Sequence, residues 1–444
     1  MTDSRTELTT AQAPPMRRVA ASVLIGTTIE WYDFILYGSA AALVLGPLYF
    51  PSSDPVASTL LAFSTFAVGF FARPLGGIVL GHFGDRVGRK KMLVLSLSMM
   101  GVATFLMGAL PTYATIGVAA PIILVLLRLV QGFGVGGEWG GAVLTAVEYS
   151  SPGRRGFYGS LPQIGVPAGL FLATGAFFLV AQMPEQAFLS WGWRIPFLVS
   201  IVLVVIGMIV RFTLTETPVF ERVTQGREVV RVPLVEAFRT YPKQVLLATG
   251  SMISTGAYFY VVNTYSLSYA ASTEVMSRSV MLVAVLLSAV VAVFALPFFG
   301  ALAQRHGRRR LILIGLAGMC VWIFPTFLAI DSGIVPLVVL AYLVGAVLFS
   351  VSYGPQATFI TELFDARVRF SASSTSFQLG VLLGGAVAPL VAASLVAATG
   401  TSMSVAVYVA AVSLVSLFSV LLVSQRDLAR GSRDMDGAAV EDRS

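Results

Sequence analysis

Charge is what this sequence has least of. Only 11% of its 444 residues are Asp, Glu, Lys or Arg, while 56% are hydrophobic; soluble globular chains carry about 25% charged residues. A chain this poor in charge cannot cover a water-facing surface, and its mean hydropathy of +0.84 places it in lipid. Cysteine is nearly missing too. Cys320 sits alone inside an apolar run, which excludes a disulfide framework and a thiol metal site. The two histidines, His82 and His306, lie apart in polar turns. With one cysteine they are too few for the clustered groups of an integral-membrane enzyme, so neither catalysis nor a cofactor is expected. No polar stretch is long enough for the signalling domain of a receptor. The formal charge of +7 does not point to nucleic acid, because the basic residues fall in short turns and form no continuous stripe. Residues 1–15 lack the apolar segment of a signal peptide, so the first span is expected to stay as an anchor.

What the chain has instead is twelve apolar runs near the roughly 20 residues that cross a bilayer as a helix. They fall at about 19–45, 56–80, 92–110, 116–147, 157–182, 195–213, 245–270, 279–303, 311–330, 334–360, 371–399 and 402–424. Barrel strands would be shorter and alternating, so the expected fold is an all-α membrane protein. Lys and Arg concentrate on one side of these runs: Arg17 and Arg18, Arg86 to Lys91, Arg154 and Arg155, residues 222–243, Arg305 to Arg310, Arg367 and Arg369, and the tail. The other side has Arg194 and Arg278. Positive charge is retained in the cytoplasm, so both termini are expected there. The expected division is a cytoplasmic segment 1–18, a six-helix bundle 19–213, a cytoplasmic linker 214–244, a second bundle 245–424 and a disordered tail 425–444.

The two bundles are copies. Gly81, Arg86, Gly88 and Arg89, in a basic stretch between the second and third spans, recur as Gly300, Arg305, Gly307 and Arg308 at one offset of 219 residues. Glu148 and Arg155 after the fourth span correspond to Glu362 and Arg369 after the tenth. Two bundles of six with a shared basic turn make a duplicated helical architecture. Asp85 has no acidic counterpart, since Gln304 stands in its place.

Five ionisable residues lie deep in spans, all in the first half: Glu30, Asp33, Arg73, Arg128 and Glu138. Buried charge in lipid is costly and usually functional. Glu30 and Asp33, spaced i, i+3, share one helix face about 4.5 Å apart along the axis. Two carboxylates that close do not both ionise cheaply, so one can carry a proton; the alternative is static pairing with Arg73 or Arg128. Asp33 is the expected carrier. Arg128, mid-membrane, needs a carboxylate or a substrate anion. Arg73, followed by Pro74, either meets substrate or pairs with Glu138 or Asp33. In the second half the polar candidates are uncharged: Tyr258, Asn263, Tyr353 and Gln356, able to bind a hydroxyl or carboxylate without a buried charge. Gly132, Gly136 and Gly140 repeat every four residues, as do Gly380 and Gly384, spacing that suits close helix packing.

Glu30 to Phe34, Arg73 to Gly77, Gly81 to Lys91, Arg128 to Gly141, Pro152 to Gly156 and Trp191 to Arg194 together resemble the metabolite:proton symporter family of the major facilitator superfamily. The resemblance runs from Arg17 to Arg426. It implies twelve transmembrane helices in two six-helix bundles, no cofactor, and a monomer in the bacterial inner membrane as the working unit. It puts Arg128 at the position linked to proton coupling, with Gln131 one turn on. It also implies that Gly81, Asp85, Arg86, Gly88 and Arg89, with Glu148, Arg155, Arg305, Glu362 and Arg369, lock the outward-open state. The expected function is import of a small organic acid with a proton, by alternating access. A proline or betaine symporter is the second choice, and a drug antiporter a more distant third.

Overall fold

In the computed structural model, residues 16–52, 54–87, 89–136, 139, 142, 143, 146, 147, 150, 152–212, 238–365, 368–424 and 428 are described, with backbone only at 17–19, 81–87, 89–91, 93, 152, 210–212 and 370. Among the described residues there is helix and no strand. Ten helices are long and apolar enough to cross a membrane, and two shorter apolar helices, Val94–Ala109 and Ala119–Val135, complete the expected twelve. In chain order they are α1 (Ala20–Tyr49), α2 (Pro55–Val87), α3 (Arg89–Ala109), α4 (Ala119–Val135), α5 (Arg155–Val180), α6 (Ile195–Phe212), α7 (Pro242–Ser272), α8 (Arg278–His306), α9 (Arg308–Asp331), α10 (Val335–Thr361), α11 (Ser371–Thr399) and α12 (Met403–Leu422). Trp139, Ala142, Val143, Ala146 and Val147 are also helical and carry the fourth span past Val135.

The outer faces display Leu179, Leu246, Phe294, Phe298 and Phe418, a belt that lipid accepts and water would not. The two bundles meet along α5 with α8 and α2 with α11. Of the expected linker 214–244, residues 238–240 and 242–244 are helical, Tyr241 between them donates to Asp365, and residues 214–237 lie outside the described residues, as does the tail apart from Leu428.

The basic stretches are helix rather than loop. Helix α2 continues to Val87 and α3 resumes at Arg89; α8 runs to His306 and α9 starts at Arg308. Nothing in either stretch breaks a helix until the glycine. Gly307 adopts φ 89°, a left-handed conformation that only glycine takes without strain.

Glycine also sets the α2 to α4 contact. A Cβ on Gly132 would run into the Gly69 carbonyl, one on Gly136 into the Arg73 carbonyl, and one on Gly76 into the Phe133 carbonyl. On the other side of the molecule, a Cβ on Gly384 of α11 would meet the Ile253 carbonyl of α7. These are backbone atoms and cannot turn aside. Gly132→Val should therefore cost more than the roughly 1–3 kcal/mol of ordinary overpacking, seen as loss of monodisperse protein on size exclusion.

Three spans contain a π-helical turn: Ala41–Leu45 in α1, Val261–Tyr265 in α7 and Leu382–Ala386 in α11. Such turns concentrate at functional sites. The first two occupy equivalent places in the duplicated bundles.

Candidate functional site

The intramembrane charges gather where α1, α2 and α4 meet. Glu30 and Asp33 come from α1, Arg73 from α2 and Arg128 from α4; all four are buried, with Asp33 and Arg128 fully so. Arg73 pairs with Glu30 at 3.1 Å. Arg128 donates to the Gln131 side-chain carbonyl and has no carboxylate partner among the described residues. Both guanidiniums stand over the Phe34 ring, Arg73 at 4.4 Å and Arg128 at 3.9 Å, and Arg128 lies 4.2 Å from the Tyr37 ring. Aromatic faces are a partial substitute for an anion, contributing up to about 2 kcal/mol when desolvated.

Asp33 differs from Glu30. Neither of its carboxyl oxygens makes a hydrogen bond of normal geometry among the described residues; the Thr104 hydroxyl beside them donates to the Met100 carbonyl at 2.9 Å instead. The Gln131 amide joins it to Arg128 indirectly, donating to the Asp33 backbone carbonyl at 3.2 Å and to the Thr104 hydroxyl at 2.8 Å. Arg128 Nε and Nη2 are likewise unpartnered. The centre thus holds a paired acid and base, an unpaired base, and an unpaired acid. The i, i+3 spacing of Glu30 and Asp33 places both in it, and the helix rotations decide that Glu30 meets Arg73. Glu138 lies outside the described residues.

The second bundle supplies aromatic and neutral polar groups. Tyr260 packs its ring on Phe66 and Phe70 of α2, at 5.3 and 5.4 Å, and its hydroxyl has no partner. Tyr258 and Asn263 line a cavity of about 20 Å³ with Pro167, Ser288 and Tyr342. That is room for a water and not for a metabolite. Tyr258 Oη and Asn263 Oδ1 are buried without partners there. Tyr353 stacks near Phe349 at 4.9 Å. Gln356 is occupied as a tie from α10 to α7: it accepts from Thr255 at 3.2 Å and donates to the Ser251 carbonyl at 2.7 Å.

The two bundles touch at both ends among the described residues. Toward the end bearing the basic turns, Trp139 and Phe377 stack at 3.8 Å, Gln378 donates to the Gly136 carbonyl at 3.3 Å, and the Gly156 N–H donates to the Gln304 side chain at 2.7 Å. Gln304 thus reaches the first turn of α5 from the opposite bundle, a capping role that needs an oxygen but not a charge. At the other end Arg278 lies 4.6 Å from the Phe188 ring, and Gln182 donates to Ser279 at 3.3 Å.

Glu362 pairs with Arg308, not with Arg369. Arg369 donates its Nε to the Thr361 and Phe364 carbonyls. Arg305 is exposed. Arg308 was missing from the expected set, although its match to Arg89 in the first copy was a signal for it; Phe34, Trp139 and Phe377 were missed as well. The side chains of Gly81 to Arg89, and Glu148, lie outside the description.

Burial pushes the Glu362 carboxyl above the ordinary carboxylate range, against the pull of Arg308 first and then of Arg155 and Arg369. Lowering pH therefore neutralises Glu362 and releases Arg308 before an exposed glutamate would titrate. In a Cys320→Ser background, labelling of Ser160→Cys, buried against Gly300, should rise as pH falls once divided by the rate for the unfolded protein at the same pH, which removes the loss of thiolate. With Glu362→Gln the same ratio should be high and independent of pH.

The model described as "Sugar (and other) transporter" matches residues 19–232, and that described as "Major Facilitator Superfamily" matches residues 247–439. The chain is 40% identical over 414 residues to the inner membrane metabolite transport protein YhjE of Escherichia coli (strain K12), covering 92% of this chain and 94% of that one. It is 40% identical over 417 residues to the shikimate transporter of the same organism, covering 92% and 95%. To the proline/betaine transporter of that organism it is 34% identical over 414 residues, covering 91% and 82%. Among solved structures, a partially occluded inward-open xylose transporter from E. coli superposes with a TM-score of 0.68 at 17% identity, covering 91% and 96%. A D-xylose-proton symporter does so at 0.70 and 20%, covering 91% and 97%.

Proposed function

The chain belongs to the major facilitator superfamily and is a transporter of small molecules, and from that premise we propose that it imports a small organic acid together with a proton. The observation that carries this reading is Arg128: a fully buried cation with no carboxylate partner among the described residues and two nitrogens unpartnered. Leaving a buried charge unbalanced costs several kcal/mol, so the site suits an anion that arrives from outside. Asp33, equally buried and unpartnered, is the proton carrier. Gln131 links the two, so that occupancy at Arg128 is felt at Asp33 through one side chain.

Tyr258, Asn263 and Tyr353 supply neutral contacts from the second bundle once the centre opens. Arg73, paired with Glu30, orients that acid and the Phe34 ring. Alternating closure uses the Trp139 and Phe377 stack and the Gln304 cap at the cytoplasmic end, and Arg278 with Phe188 at the outer end. The protein works as a monomer in the inner membrane with both termini in the cytoplasm.

A proline or betaine symporter is the second reading, favoured by the 34% identical relative. It fits the centre less well, since a zwitterion brings a cation toward Arg73 and Arg128. The deciding measurement is uptake into proteoliposomes of labelled carboxylates and betaine, with and without an inward proton gradient. Gradient-driven uptake of betaine alone, or uptake indifferent to the gradient, counts against the organic-acid reading.

A further inference from the structure

We infer that the transport cycle is electroneutral: the substrate is a monoanion and travels with one proton. The inference rests on the symport reading above and fixes its charge class and stoichiometry. Its basis is that, among the described residues, four ionisable side chains, Glu30, Asp33, Arg73 and Arg128, are buried together inside the molecule.

Glu30 and Arg73 cancel at 3.1 Å. Asp33 accepts no hydrogen bond of normal geometry at either oxygen among the described residues. An ionised carboxylate there would be desolvated without compensation, at far greater cost than the protonated acid. That leaves Arg128 as one unbalanced positive charge among the described residues. Besides Arg73, the titratable groups that face it, Tyr37 from α1 and Tyr260 from α7, are phenols, and its hydrogen-bond partner Gln131 is neutral; Tyr353 of α10, on the Arg73 and Glu30 side, is a phenol as well. A single negative charge on the substrate balances the protonated centre. With substrate and proton both gone, Asp33 ionised balances Arg128, and the empty centre is again neutral. A dianion leaves the loaded centre at minus one, and a zwitterion leaves it at plus one. Either closed form carries a net charge through a sealed apolar interior.

The test uses the full chain in proteoliposomes, with labelled shikimate, lactate and benzoate as monoanions, succinate as dianion and glycine betaine as zwitterion. A proton gradient is held constant while a potassium diffusion potential is imposed with valinomycin. One net charge per cycle changes accumulation about 50-fold per 100 mV. The expected result is gradient-driven uptake of a monoanion with no response to the potential. Gradient-driven uptake that does respond, or that is confined to succinate or betaine, overturns the charge count and leaves proton symport standing. No gradient-driven uptake of any probe overturns the symport reading itself.

A second arm alters the balance directly. Glu30→Gln leaves the loaded centre one charge too positive and should lower uptake about 100-fold, the loss typical of breaking a buried pair. Glu30→Gln combined with Arg73→Gln restores the balance and should recover at least about 10-fold of it. All rates are taken per amount of monodisperse protein. No recovery in the double variant counts against charge balance as the governing constraint.

Discussion

Asp33→Asn should reduce gradient-driven accumulation to the equilibrium ratio of one, while exchange of labelled for unlabelled substrate across the same membrane continues. A one-proton symporter can concentrate its substrate about tenfold for each pH unit of gradient, because one unit is 1.36 kcal/mol. With a gradient of two units the expected loss is thus about 100-fold in accumulation and little in exchange. The physical reason is that asparagine keeps the shape of the protonated acid. It lets the loaded centre close, but it has no proton to give up, so the empty centre cannot return neutral. If the variant still accumulates against the gradient, Asp33 is not the carrier, and Glu30 or Glu138 takes its place as candidate.

Arg128→Gln should raise the half-saturating substrate concentration by about 100-fold or more, the scale of removing one partner from a buried charged contact. The same replacement at Arg73 should act differently, since Arg73 already has Glu30. Arg128→Lys should rescue poorly. The planar guanidinium reaches Gln131 while lying over Phe34 and Tyr37, and an ammonium cannot present donors in that plane. Substrate binding measured by thermal shift at fixed pH separates this effect from proton coupling. Unchanged affinity in Arg128→Gln would remove Arg128 from the substrate site.

The helices were readable because lipid demands a crude signal, a run of apolar side chains of fixed length, and the duplication was readable because a basic stretch with its glycines recurs at one offset, Gly307 being a backbone requirement. The participants of the buried centre were readable for the same reason: Glu30, Asp33, Arg73 and Arg128 are the charges that lipid would reject. Their pairing was not. Whether Arg73 meets Glu30, Asp33 or Glu138 depends on helix rotation, and rotation is set by contacts such as Gly132 on Gly69 that no hydropathy pattern encodes. Gln356 illustrates the converse: as a lone polar residue in an apolar span it reads as a ligand, yet its amide is satisfied by Thr255 and Ser251. Gln304 had put an ion pair in the second copy in doubt; it contributes a neutral hydrogen bond to Gly156 instead. The π-helical turns could not be anticipated at all, because one extra residue per turn leaves composition unchanged.

Those turns bear on how the molecule moves. In α1 and α7 the widened turn lies beyond the mid-membrane residues Asp33 and Tyr260, at Ala41–Leu45 and Val261–Tyr265. A helix with a slack turn can swivel on one side of it while the other side keeps its register. The segments of α1 and α7 past those turns can therefore change direction while the charge-bearing stretches before them keep theirs.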